Sequence, residues 1–198
     1  MPSIAPVSAA LASALDGRAG AVCAVAARTA HDLGLAAWFG GATMGAVALN
    51  AATREVEEHT QRLRVADAAW FRWAPVVAIA ATAHFAGALT LPRLSSAGTR
   101  RGGPPPFGAL RTALSLGAVL ATAETGWSGR RVVSAGDVPV ATAVQPIAAT
   151  PVEVARAQRR LRVAQWLVPA FTAGIAVVNA VQHEADRRGQ TLAGVPDR

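Results

Sequence analysis

Long apolar runs separated by short charged stretches set the pattern of this chain. Residues 33–52, 73–91, 112–123 and 163–182 contain no Asp, Glu or Arg. A bilayer's hydrocarbon core takes roughly 20 apolar helical residues. The first, second and fourth runs reach that length, and the third does so only when extended to Trp127. The pattern therefore predicts an all-α fold, a four-helix transmembrane bundle, in a multi-pass protein of the cell membrane. Uncharged runs near twenty residues are rare in water-facing helices.

The four runs form two similar pairs. RTAHDLG at residues 28–34 returns as RTALSLG at 111–117, and RLRVA at 62–66 returns intact at 160–164, followed each time by Trp and Pro. The two echoes keep their order, as expected of two tandem helical hairpins whose second copy has a connecting loop about fifteen residues longer. This divides the chain into a loose amino-terminal segment (1–27), a first hairpin (28–91), a Pro/Gly/Arg-rich loop (92–107), a second hairpin with a long internal loop (108–186) and a tail (187–198). Copies with two spans each share one orientation, as in parallel-repeat transporters.

Local signals refine the boundaries. Thr150, Pro151 and Glu153 read as a capping box with Pro at the first helical position. The last helix then begins there and reaches residue 186, about 54 Å at 1.5 Å per residue, with an arginine-rich stem outside the bilayer. Residues 54–67 read as its counterpart. Pro75 and Pro169 fall in the first turns of spans two and four, where a missing N–H is tolerated. Trp70, Trp73, Trp127 and Trp166 cluster at one end of the spans, as indoles do at a membrane interface. The side with both termini and the 92–107 loop holds nine arginines and the other ten, so the positive-inside rule does not choose an orientation.

Composition narrows the function classes. All 19 basic residues are Arg, against 12 acidic residues, for a net charge of +7. Loop arginines near anionic headgroups explain that balance, and nucleic-acid binding is not expected because basic and aromatic residues do not interleave in the loops. Cys23 is the only cysteine, which excludes an internal disulfide and a Cys-rich metal site. The first twenty residues have no basic n-region, so no cleaved signal peptide is expected.

Apolar helices gain little by leaving lipid for one another, so they pack where small residues let backbones approach. Gly34, Gly41 and Gly45 recur on one face of the first span, and Gly117 and Gly174 mark shorter faces on the third and fourth. The GxxxG step of Gly41 and Gly45 suits packing inside the bundle, or a homodimer seam. Ionisable groups within spans are functional candidates by default. His31, His84 and His183 lie toward one end, and imidazoles in a four-helix bundle could hold haem or a metal such as copper. Interfacial or helix-capping roles are the leading reading for them, because no metal-ligand spacing accompanies them. At the opposite end Arg72 and Glu124 could form a buried ion pair, or Glu124 a proton or cation site. No catalytic motif is present, and no cofactor follows from the pattern itself.

In HDLGLAAWFGG, His31 precedes Trp38 by seven residues, and Trp38, Gly40 and Gly41 form WxGG. This resembles the first-helix motif of copper-resistance D-type and related haem-associated membrane domains, which would imply that His31 is a metal or haem ligand. RLRVAQWLVPAFTAG, with the chain as a whole, resembles an uncharacterised family of small actinobacterial four-span membrane proteins, which implies no particular activity. The leading expectation is a structural or interaction protein that contacts membrane lipid and itself or a larger membrane complex. The alternatives are a haem- or metal-binding redox component using His84 with His31 or His183, and a small oligomeric transporter.

Overall fold

The computed structural model describes residues 5–94 and 105–193. It is all-α apart from one small hairpin. Four long helices, α1 (Ala5–Met44), α3 (Arg62–Leu94), α4 (Pro105–Val133) and α5 (Val152–Ala193), are joined by the short turn α2 (Asn50–Ala52) and two strands, β1 (Val140–Thr142) and β2 (Gln145–Pro146). Three helical stretches among the described residues, Gly17–Glu55, Arg62–Leu91 and Val152–Ala185, are long and apolar enough to cross a membrane. Helix α4 is long enough but not apolar enough, because Ser115, Thr122, Glu124, Thr125 and Ser128 dilute its run.

Two boundaries differ from the sequence reading. Helix α1 begins at Ala5 rather than after a loose segment to residue 27. The stretch is rich in Ala, the strongest helix former, and Pro6 falls in the first turn, where no N–H is needed. Helix α5 runs to Ala193, through most of the expected 187–198 tail. Pro169 is interior to α5, and Pro75 to α3, because both helices begin well before the apolar runs. Most of the 92–107 loop, residues 95–104, lies outside the described residues.

The chain divides into two compact units, Met1–Leu35 with Ile79–Arg100, and Ala36–Ala78 with Arg101–Arg198. In the first, α1 and α3 meet backbone to backbone at two glycines. A Cβ on Gly34 would strike the Ala80 carbonyl oxygen and the His84 backbone, and one on Gly87 would strike the Ala27 carbonyl and His31.

In the second unit, aromatic rings sit on glycines. The Trp73 indole covers Gly41, the Trp70 indole covers Gly45, and the Phe171 ring covers Gly117, while Leu114 packs on Gly174. The repeat in sequence is therefore not a repeat in register. Gly117 corresponds to Gly34 and Phe171 to Trp73, yet Trp73 sits on Gly41. Trp38 is buried and donates its indole N–H to Thr122 Oγ1 at 3.1 Å.

The start of α3, the end of α4 and the start of α5 close over a small core of Leu63, Val132, Val140, Val154 and Ala157. The long connection before α5 folds into this core. Strands β1 and β2 pair antiparallel, and Gly136 takes the left-handed φ of +76° that the turn ahead of them needs. Thr150 does not cap α5 with its side chain. Its hydroxyl donates to the Pro139 carbonyl at 2.7 Å and accepts the Ile147 N–H at 2.9 Å, which pins the connection instead.

Candidate functional site

The most unusual polar feature of the first unit is a histidine pair. His31 and His84 are buried, and their rings stack with centroids 4.2 Å apart and planes 22° from parallel. Gly34 and Gly87 flank the pair, and their lack of side chains lets the helices close until the rings meet. His31 Nδ1 lies 3.0 Å from the His84 carbonyl oxygen, and His84 Nδ1 lies 3.2 Å from that of His31. A carbonyl can only accept, so each Nδ1 is the donor. His183 belongs to the second unit and is exposed. Among the described residues no group of three or more His, Cys, Asp or Glu is placed to hold a metal ion.

In the second unit, a π-helical turn at Gly45–Leu49 precedes Asn50, whose N–H bonds to the Gly45 carbonyl. Such turns insert one residue into the helix and redirect the side chains that follow. Asn50 is turned inward and is 3% exposed. Its Oδ1 accepts the Trp70 indole N–H at 3.0 Å, and its Nδ2 donates to Gln165 Oε1 at 2.8 Å, tying α2, α3 and α5 together. Two buried polar atoms beyond this link, Trp73 Nε1 and Gln158 Oε1, have no hydrogen-bond partner among the described residues.

Next to it the two interhelical connections are fastened by Arg62. This buried guanidinium makes no salt bridge among the described residues. It donates to the carbonyls of Val56 at 2.8 Å, Arg54 at 2.9 Å, Ala141 at 2.9 Å and Val140 at 3.2 Å. Gln158 Nε2 donates to the Thr142 and Ala143 carbonyls, Arg162 Nε to that of Val144, and the Ala143 N–H to Thr53 Oγ1 at 2.9 Å. The extra residues of the second hairpin thus form the acceptor wall of this knot. In the first connection, the Thr60 hydroxyl and N–H both donate to Glu58 Oε1, and these bonds hold the Glu58 carboxyl below its usual range.

The structure does not join Arg72 to Glu124. Arg72 is exposed and donates to the Ala68 carbonyl of its own helix, and Glu124 is exposed and accepts the Ser128 hydroxyl at 2.8 Å. Each finds a partner one turn away on its own helix. All five glycines singled out from the sequence sit at contacts within the chain, so the GxxxG step is filled by Trp70 and Trp73 rather than left open for a second copy. Gln158 and Gln165 carried no sequence signal, since they lie in or beside an arginine-rich stem that reads as solvated. Gly87 did carry one, because Ala80, Ala83 and Gly87 repeat small residues at three- and four-residue spacing. Compared with models of protein families, with curated proteins and with solved structures, the chain matches none.

Proposed function

We propose that the protein is a multi-pass integral membrane protein of structural or interaction type whose four long helices all cross the bilayer as two hairpins. Membrane residence is supported by the apolar surface that the chain leaves uncovered. Only 33%, 17% and 33% of the most apolar windows of the three candidate spans are buried within the chain. Large side chains such as Phe71 (78% exposed) and Ile79 (69%) face outward. Contiguous apolar surface on this scale needs lipid or a partner.

The four-span reading rests on the knot at Arg62. Its bonds to Val140 and Ala141, with that of Ala143 to Thr53, hold the connection before α3 and the connection before α5 on one side of the membrane. If α3 crosses, the chain must cross back to reach Val140, and α4 is the helix available to carry it. Its outward residues Leu116 and Leu120 are exposed, while Thr122 is bonded inward to Trp38. Cysteine-accessibility mapping tests this, with Cys23→Ser as background. Glu57→Cys and Ala148→Cys are expected to be modified from the same side and Arg187→Cys from the other. Glu57 and Ala148 on opposite sides would leave three spans, and a chain that stays monomeric and soluble without detergent would remove the membrane reading.

The histidine pair supports a structural role in preference to axial haem ligation. Bis-histidine ligation needs two Nε2 atoms pointing at each other across the iron, whereas rings stacked at 4.2 Å leave no gap for a porphyrin. The expected visible spectrum of purified protein is colourless. A stoichiometric Soret band that His84→Ala abolishes would reverse this. The transporter alternative places its weight on Glu124, and retained transport in Glu124→Gln would remove it.

A further inference from the structure

We propose that the cavity between the end of α4 and the start of α5 binds the phosphate of an anionic phospholipid headgroup, an inference that rests on the membrane reading above. The cavity has a volume of about 430 Å³, within the ordinary range for small-ligand sites. Arg131, Arg156 and Arg160 line it, against one acid, Glu153. Glu153 is already taken by Arg156 at 3.2 Å. Arg160 has no hydrogen bond or ion pair among the described residues, so the site keeps positive charge in excess of its own acid. Guanidinium groups lining one cavity suit a phosphate, whose oxygens accept their paired N–H donors.

Depth and shape point to a lipid as the source. Arg160 lies three residues before the uncharged run at 163–182, about 4.5 Å along the helix axis, which is headgroup level for a spanning α5. Trp127, an exposed indole on the cavity wall, suits the same level. The Arg131 guanidinium lies over the Trp127 ring, 5.3 Å from its centroid. The cation covers one face of that ring. The repeat sharpens the contrast. Arg62, the counterpart of Arg160 in the first RLRVA, is buried against four carbonyls, whereas Arg160 faces the cavity.

The test titrates delipidated full-length protein in detergent with short-chain phosphatidylglycerol, phosphatidylcholine or inorganic phosphate, reading bound lipid by native mass spectrometry. Phosphatidylglycerol is expected to bind and phosphatidylcholine not. Arg160→Gln is expected to weaken binding about fivefold and Arg156→Gln with Arg160→Gln about 25-fold, the scale of basic side chains at an anionic surface. Arg159→Gln removes equal charge from an exposed position outside the cavity and is expected to change nothing. Equal loss in Arg159→Gln and Arg160→Gln would overturn the site in favour of general charge attraction. Displacement of the lipid by inorganic phosphate at matching concentration would overturn the lipid as its source. Protein that inserts into phosphatidylcholine vesicles yet shows no preference for phosphatidylglycerol would sink this proposal alone, and protein that fails to insert would sink the membrane reading beneath it.

Discussion

Replacing Arg62 by Ala tests whether a lone guanidinium holds the two connections together. The side chain makes four charge-assisted hydrogen bonds to backbone carbonyls at 2.8–3.2 Å. Arg54 is exposed and Val56 and Ala141 are half-buried, so water can replace the guanidinium at those carbonyls, but Val140 is fully buried. An orphaned buried carbonyl costs about 1–3 kcal/mol, and each lost charge-assisted bond about 1.5–3 kcal/mol before water repairs it. The expected destabilisation is about 4 kcal/mol. Arg62→Lys, which keeps the charge but not the fork, is expected to lose about half of that. Arg160→Ala, at the matching repeat position but exposed, is expected to stay within about 0.5 kcal/mol. Reversible unfolding in mixed micelles gives the energies, and hydrogen exchange of residues 53–62 and 138–146 shows where the structure opens. Equal effects of Arg62→Ala and Arg160→Ala, or unchanged exchange in both connections, would refute the reasoning.

Three further outcomes are expected. Gly34→Ala places a methyl group against the α3 backbone, which cannot swing aside, and overpacking of this kind costs about 1–3 kcal/mol; Gly40→Ala, in open space on the same helix, is expected to be neutral or stabilising by up to about 1 kcal/mol, and thermal melts in one detergent compare them. Asn50→Leu strands the Trp70 N–H and the Gln165 carbonyl and is expected to cost about 2–3 kcal/mol, with a shift in Trp70 emission as an independent reading. Glu58 is expected to titrate below an ordinary glutamate by NMR and to rise part of the way toward the ordinary value in Thr60→Ala, which removes the hydroxyl donor but keeps the backbone N–H. Because its folded value is depressed, its contribution is present above the unfolded carboxylate pKa and is lost as pH falls through the folded one; a normal or raised midpoint would contradict the hydrogen bonds from Thr60.

The apolar runs and their spacing determined by themselves that the chain is helical and that glycines mark its contact faces, because helical periodicity and small side chains are local properties. They could not name the neighbour across a face. Gly41 and Gly45 read equally as a dimer seam or an internal contact, and only the antiparallel placement of α3 put Trp73 and Trp70 on them. His31 and His84 are 53 residues apart, and each alone looked interfacial or ligating. Close approach at Gly34 and Gly87 made them a stacked pair. Arg72 and Glu124 looked like partners because burial was assumed for both, whereas exposure let each settle on its own helix. The two RLRVA copies are identical in sequence, yet Arg62 is buried and Arg160 lines a cavity. That difference lies in the carbonyls brought to Arg62 from residues 78 and 79 positions away, and a long-range acceptor leaves no trace in the local pattern of the residue it will bind.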